Sequence, residues 1–209
     1  MRTIKEIGIE GETISQIFIE NSNDSIEVAK SIVALANSKG GSLYIGIKKS
    51  GKIIGVFPDV EILLISDITQ SICDPKISYT TTVLREGFRL ILEISVLKSN
   101  SPPVYLINNG IRDVYIRKQC RTFKANSILE NVLKYKSKFR LPPIELTQAE
   151  ISIQNLINSN PKISLTQIYK KSKIPMKEID TILVRLICWK LVYLEITENN
   201  SFSQFISYL

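Results

Sequence analysis

Apolar residues fall at helical spacing between positions 28 and 36, as Val28, Ala29, Ile32, Val33, Leu35 and Ala36. Asp24, with Glu27 three residues on, makes a capping-box pattern ahead of them. Gly40 offers a left-handed cap after Asn37-Ser38-Lys39. Residues 43–47 read as a mostly buried strand, Lys48-Lys49-Ser50-Gly51 as a hairpin turn and residues 52–56 as the returning strand. Upstream, residues 14–19 form a further predicted strand. Downstream, Pro58-Asp59 opens a helix carrying Val60, Ile62, Leu63, Leu64, Ile65, Ile68 and Ile72, which closes at Asp74-Pro75 because proline disfavours helix at the preceding residue. Strands follow at 77–84 and 88–96, joined by Arg85-Glu86-Gly87. In the second, Phe88, Leu90, Leu92, Ile94 and Val96 alternate with Arg89, Ile91, Glu93 and Ser95, which sets one face on a core and one nearer solvent. Strands at 104–107 and 113–116 flank the turn Asn108-Asn109-Gly110, and a helix is predicted over 127–138.

Pro142-Pro143 stops that helix and stiffens the link, dividing the chain into residues 1–140 and 141–209. The pattern beyond it is that of a winged helix. Thr147 and Glu150 form a capping box for a helix with Ile151, Ile153, Leu156 and Ile157 inside, and Ser164 caps a short helix with Leu165, Ile168 and Tyr169. Pro175 opens a third helix over 176–191 that buries Ile179, Ile182, Leu183, Leu186 and Ile187. Residues 191–197 and 202–207, joined by Glu198-Asn199-Asn200, supply the wing. In a helix-turn-helix the recognition helix enters a major groove. Lys177, Thr181 and Arg185 would make its contacts, with Lys170, Lys171 and Lys173 free for phosphates. Glu178 and Asp180 on that helix would repel phosphate, and the same architecture also serves protein contact, so a homodimer is the competing expectation.

Composition narrows the chemistry. The chain has 209 residues, 44% of them apolar, which suffices for a packed core. It contains no histidine, which removes imidazole bases, Ser–His and Cys–His nucleophiles and histidine metal sites together. Cys73, Cys120 and Cys188 lie far apart, without zinc or disulfide spacing. No apolar run is long enough for a membrane span, and the charged start MRTIKEIGIEGE is unlike a signal peptide, so a cytoplasmic protein is expected. The net charge is +7, from 27 basic and 20 acidic residues, and favours a polyanionic partner. Residues 144–209 hold seven basic and six acidic residues, for +1; residues 1–143 carry the other +6. No G-x-x-x-x-G-K-[ST] occurs, and Gly40-Gly41 follows a helix C-terminus, the wrong dipole end for a phosphate; no cofactor is expected.

The segment ALANSKGGSLYIGIKKSGKIIGV resembles the signature of the Alba-like DNA-binding domain found in Schlafen proteins and bacterial regulators. That signature is a helix ending in A-x-A-N, a glycine pair, a strand with G-[IV] and a G-x-[IV]-x-G hairpin. The likeness runs from about residue 10 to residue 124. It implies an α+β fold: a Schlafen-type mixed sheet with helices, followed here by the winged helix-turn-helix domain. It also implies binding of nucleic acid, double-stranded DNA in a transcriptional regulator. VYIRKQCRTFK resembles the family's closing Y-x-R strand, and there Arg117, Lys118, Arg121 and Lys124 crowd one strand end. With Lys48, Lys49 and Arg112 they are the phosphate-contact candidates of the first domain; Tyr115 and Phe123 either stack on bases or belong to the core. RNA-cleaving relatives hold a divalent metal on three carboxylates. Of the family's E-x-x-x-x-[DE]-F-K, this chain keeps Glu12 and Phe18 but has Ile17 and Ile19 at the second acid and the lysine, and Lys48-Lys49 after the next strand. The expectation is therefore no catalysis and no metal. The alternative is a nuclease with a rearranged site using Glu10, Glu12 and Glu20.

Overall fold

The computed structural model describes residues 3–136, 145–160, 162–196 and 203–207, which divide into two compact units, Met1–Ala125 and Asn126–Leu209. Pro142-Pro143 and the turn Glu198-Asn199-Asn200 lie outside the described residues.

The first unit begins with α1 (Ile4–Glu10), whose Thr3–Glu6 capping box satisfies two orphan amides. It continues through β1 (Gln16–Ile19), α2 (Ser25–Asn37), β2 (Gly41–Ile45), α3 (Pro58–Ser71), β3 (Cys73–Asp74), β4 (Tyr79–Glu86), β5 (Arg89–Val96), β6 (Tyr105–Asn108), β7 (Ile111–Asp113), β8 (Tyr115–Lys118) and β9 (Arg121–Lys124). The main sheet has the order β1-β2-β5-β4. β1 and β2 are parallel because α2 carries the chain back between them, and the other pairings are antiparallel. On one face, α2 and α3 pack Val28, Ile32, Leu35, Ile65 and Ile68 onto Leu43, Ile45, Leu92 and Ile94. On the other, α1 sets Ile4 and Ile7 against Phe18, Tyr44, Ile47 and Ile91.

Covering both faces overrides the alternation expected in β5. Ile91, on the predicted solvent side, is fully buried under α1, while Phe88 is fully exposed because the turn falls at Gly87-Phe88, two residues later than expected. The arm returning after Lys48–Gly51 forms only a single bridge, Ile47 to Ile53, rather than a strand. The strand expected over 113–116 is broken at Val114: β7 pairs with β6, and β8 with β9.

The second unit starts earlier than Pro142-Pro143 suggests. α4 (Ser127–Tyr135) buries Ile128 and Val132 in the second core, so the structural division falls at 125/126 rather than at 140/141. After α4 come α5 (Gln148–Asn158), β10 (Ile163–Ser164), α6 (Leu165–Lys171), α7 (Met176–Cys188), β11 (Val192–Ile196) and β12 (Ser203–Ser207). α5 starts at the expected Thr147–Glu150 capping box and α6 at the expected cap Ser164, which Gln167 completes as a second box. α7 ends three residues sooner than predicted. Its Ile179, Ile182, Leu183 and Leu186 meet Ile153, Ile157 and Ile168 in the core, and the strands form a small sheet of order β10-β12-β11. No described helix is long and apolar enough to cross a membrane.

Candidate nucleic-acid interface

The central signature builds a joint. Asn37, the last residue of α2, is buried, and its side chain is used at both ends: Nδ2 donates to the carbonyls of Val104 (2.8 Å) and Tyr115 (3.0 Å), and Oδ1 accepts from the Val104 amide (2.7 Å). One amide side chain therefore ties α2 to the start of β6 and to β8. Only a group that is both donor and acceptor does this, which is why aspartate or leucine would not serve. The glycine pair answers to space. Gly41 has φ +142°, and a Cβ there would lie 2.2 Å from the Ser15 carbonyl oxygen, so the parallel β1–β2 approach requires glycine.

Of the seven candidate cations of the first unit, five pair with carboxylates. Lys48 lies 3.4 Å from Glu20, Lys49 3.4 Å from Glu27, and Lys124 2.8 Å from Asp113. Arg112 pairs with Asp74 at 2.7 Å and lies over the Tyr105 ring. Lys118 and Arg121 oppose one another in the β8–β9 register, and both are engaged in interactions. The Tyr115 hydroxyl is held protonated, first by burial and then by Asp113, and its ring carries Lys30 at 5.8 Å. Phe123 is buried, so of the two interleaved aromatics it belongs to the core.

Arg117 corrects an expectation. Its side chain is only 3% exposed and so is not available to a phosphate. The guanidinium donates to the carbonyls of Thr13 (3.1 Å) and Gln16 (3.2 Å) and to Thr122 Oγ1 (3.2 Å), and it pairs with Glu12 Oε2 at 3.4 Å. Glu12 Oε1 meanwhile accepts the Phe18 amide at 3.0 Å. The carboxylate that the nuclease alternative requires is thus spent in pinning β1 to β8. Glu20 is spent on Lys48, and among the described residues no three His, Cys, Asp or Glu side chains gather to hold a metal.

The second unit divides its candidates differently. Arg185 is held by Glu150, whose side chain is 1% exposed, at 3.0 Å, and lies beside the Trp189 ring. It links α7 to the cap of α5, and its side chain is partly exposed. Lys170, Lys171, Lys173 and Lys177 are exposed at the end of α6, in the turn and in the first turn of α7. Among the described residues Lys171 bonds only a neutral group, Asn160 Oδ1, at 2.6 Å. Lys171 and Lys173 border an open hollow of about 470 Å³ with Ser152, Asn155 and Ser159. Thr181 is exposed and its hydroxyl donates to the Lys177 carbonyl at 3.0 Å, while Asp180 accepts the hydroxyl of Tyr169. Burial first, and that bond second, raise the Tyr169 pKa.

Moving the boundary also moves the charge. Residues 126–209 hold 11 basic and 7 acidic residues, for +4, and residues 1–125 hold 16 and 13, for +3. The C-terminal part therefore carries the higher charge density. Two cations absent from the expected set, Lys76 and Lys98, line a cleft in the first unit with the loop at Ser99-Asn100-Ser101. Their segments are more than twenty residues apart in sequence.

No curated protein matches the chain. Among solved structures it is similar to the N-terminal domain of a protein described as related to the ATP-dependent DNA helicase RecG, from Nitrosomonas europaea. That match has 19% identity and a TM-score of 0.42, over 56% of this chain and 89% of the other. It is also similar to a protein from Corynebacterium diphtheriae, with 15% identity and a TM-score of 0.45, over 71% of this chain and 34% of that one. The family model described as Schlafen, AlbA_2 matches residues 12–126, more than half of the chain, and the chain belongs to that family.

Proposed function

We propose that this protein binds double-stranded DNA as a transcriptional regulator, with the lysines of the second unit making the principal phosphate contacts. One observation carries this reading: Lys170, Lys173 and Lys177 are exposed on adjoining elements with no carboxylate partner among the described residues, and Lys171 bonds only an amide. The first unit's candidates, by contrast, are tied to Glu20, Glu27, Asp74 and Asp113.

The arrangement of α5, α6 and α7 with a small sheet fits a winged helix, with α7 presented to a groove. Its outward residues are then Lys177 and Thr181, while Arg185 keeps the helix seated through Glu150. Each lysine that meets a phosphate releases a condensed counterion, so affinity depends steeply on salt. Retardation of a duplex by the full chain at about 50 mM salt, lost by about 200 mM, is the expected result. No retardation at the lower salt overturns the reading.

The apolar residues Phe57, Val60 and Leu63 at the start of α3 are exposed, which favours a protein contact of the first unit as a second reading. Sedimentation of the full chain tests it: a dimer dispersed by Leu63→Glu supports it, and a monomer at all concentrations contradicts it.

A further inference from the structure

A cleft lies beside the C-terminus of α2, lined by Ala36 and by two loops. Its volume is about 460 Å³, within the range of small-ligand sites. Two loops wall it: the connection from β3 to β4, through Pro75–Ser78, and the connection from β5 to β6, through Leu97–Val104. Both are fixed by the backbone. The Leu97 amide donates to the Ser78 carbonyl at 3.1 Å, and the Ser99 amide to the Ala36 carbonyl at 2.8 Å. Asn37 clamps Val104 at the far end. Ala36 and Val104 form a buried apolar floor.

The polar lining has only one sign of charge. Lys76 and Lys98 line it from the two adjoining loops, Ser78, Ser99, Asn100 and Ser101 supply neutral donors, and no carboxylate lines the space. Neither lysine makes an ion pair among the described residues, and the nearest acid along the chain, Asp74, is taken by Arg112 at 2.7 Å. Lys39 is exposed one residue before Gly40, whose backbone abuts Val96 and Lys98. Two ammonium groups on a fixed, acid-free, hydroxyl-bearing wall are the complement of a phosphate.

We infer that this cleft is a binding site for a phosphorylated ligand, with Lys76 and Lys98 as its cationic contacts and the hydroxyls of Ser78 and Ser99 as its donors. The phosphate comes either from a free nucleotide or from the backbone of a nucleic-acid strand. The site lies wholly within the first unit and does not depend on DNA contact by the second.

Calorimetric titration of the full chain with inorganic phosphate, a nucleoside 5′-monophosphate, the parent nucleoside and a DNA duplex tests the site. Saturable binding of phosphate and of the monophosphate is expected, and none of the nucleoside. Lys76→Ala and Lys98→Ala should each weaken phosphate binding about tenfold, as loss of one charged contact does. Lys98→Arg should retain it within about threefold, and Lys52→Ala, at the exposed hairpin turn, should leave it unchanged. A monophosphate bound about tenfold more tightly than phosphate, with duplex binding untouched by the cleft variants, identifies a free nucleotide. Equal loss of duplex binding in those variants identifies a strand backbone. No saturable phosphate binding, or wild-type binding in Lys76→Ala/Lys98→Ala, overturns the inference. The reading of the second unit fails separately, through variants at Lys170–Lys177 that leave duplex binding intact.

Discussion

Buried Arg117 and partly buried Glu12 form an ion pair, Nη2 to Oε2 at 3.4 Å, between segments 105 residues apart. It takes a cation that the pattern assigns to phosphate and a carboxylate that the nuclease alternative assigns to metal, and uses both to hold β1 against β8. A buried pair deprived of one member leaves an uncompensated charge, which is strongly destabilising. Arg117→Ala is accordingly expected to lower stability by about 3 kcal/mol in denaturant unfolding. A variant of wild-type stability with weakened DNA binding would return Arg117 to the interface.

The Asn37 joint gives a second expectation. Asn37→Asp keeps the size but cannot donate to the carbonyls of Val104 and Tyr115, and it adds a buried charge. Asn37→Ala leaves the Val104 amide unpaired as well. Each should cost about 2–4 kcal/mol, read as a lower denaturation midpoint with an unchanged slope. A loss under about 0.5 kcal/mol would mean that the joint is replaced by water.

Arg185 and Lys177 both lie on α7 and should respond differently. Arg185→Ala strands the carboxylate of Glu150 and is expected to cost about 2 kcal/mol of stability, a figure reduced because Arg185 is itself partly exposed. Lys177→Ala should leave the melting temperature within a degree or so and weaken duplex binding instead. Equal effects of the two on binding, without a stability difference, would contradict the assignment.

The cysteines give a pH-dependent readout. Burial pushes the Cys73 thiol from its ordinary 9.0 up to about 12, and it raises Cys188 as well. The folded state therefore favours the neutral thiols. Their contribution to stability is full below pH 9 and is lost as pH rises from there toward 12, because the unfolded chain ionises first. In the native protein at pH 8, Ellman's reagent should label the exposed Cys120 promptly and the other two only on unfolding. Three fast thiols would contradict the burial.

Local features of the sequence carried far. Asp24 caps Ile26 and Glu27 as the pattern requires, and the Thr147–Glu150 box starts α5. Such signals are legible because cap and capped amide lie within four residues. Whether a strand cation points out or in is decided elsewhere: alternation in Tyr115–Lys118 treats Arg117 as a surface residue, and only Glu12 and the Thr13 and Gln16 carbonyls make its burial tolerable. Pro142-Pro143 drew the domain boundary too late, since Ile128 and Val132 answer to the second core through contacts with α7. Lys76 and Lys98 converge only because α2, β4 and β5 bring two loops together, a juxtaposition no spacing encodes.

The account rests most directly on the lysines of α6 and α7 being the ones that meet duplex phosphate. The decisive measurement is the slope of log affinity against log salt for a DNA duplex, compared between the wild type and Lys170→Ala/Lys171→Ala/Lys173→Ala/Lys177→Ala. A slope shallower by about 3 to 4, near 0.9 for each phosphate contact removed, is the predicted result. An unchanged slope, with the variant folded, would contradict it.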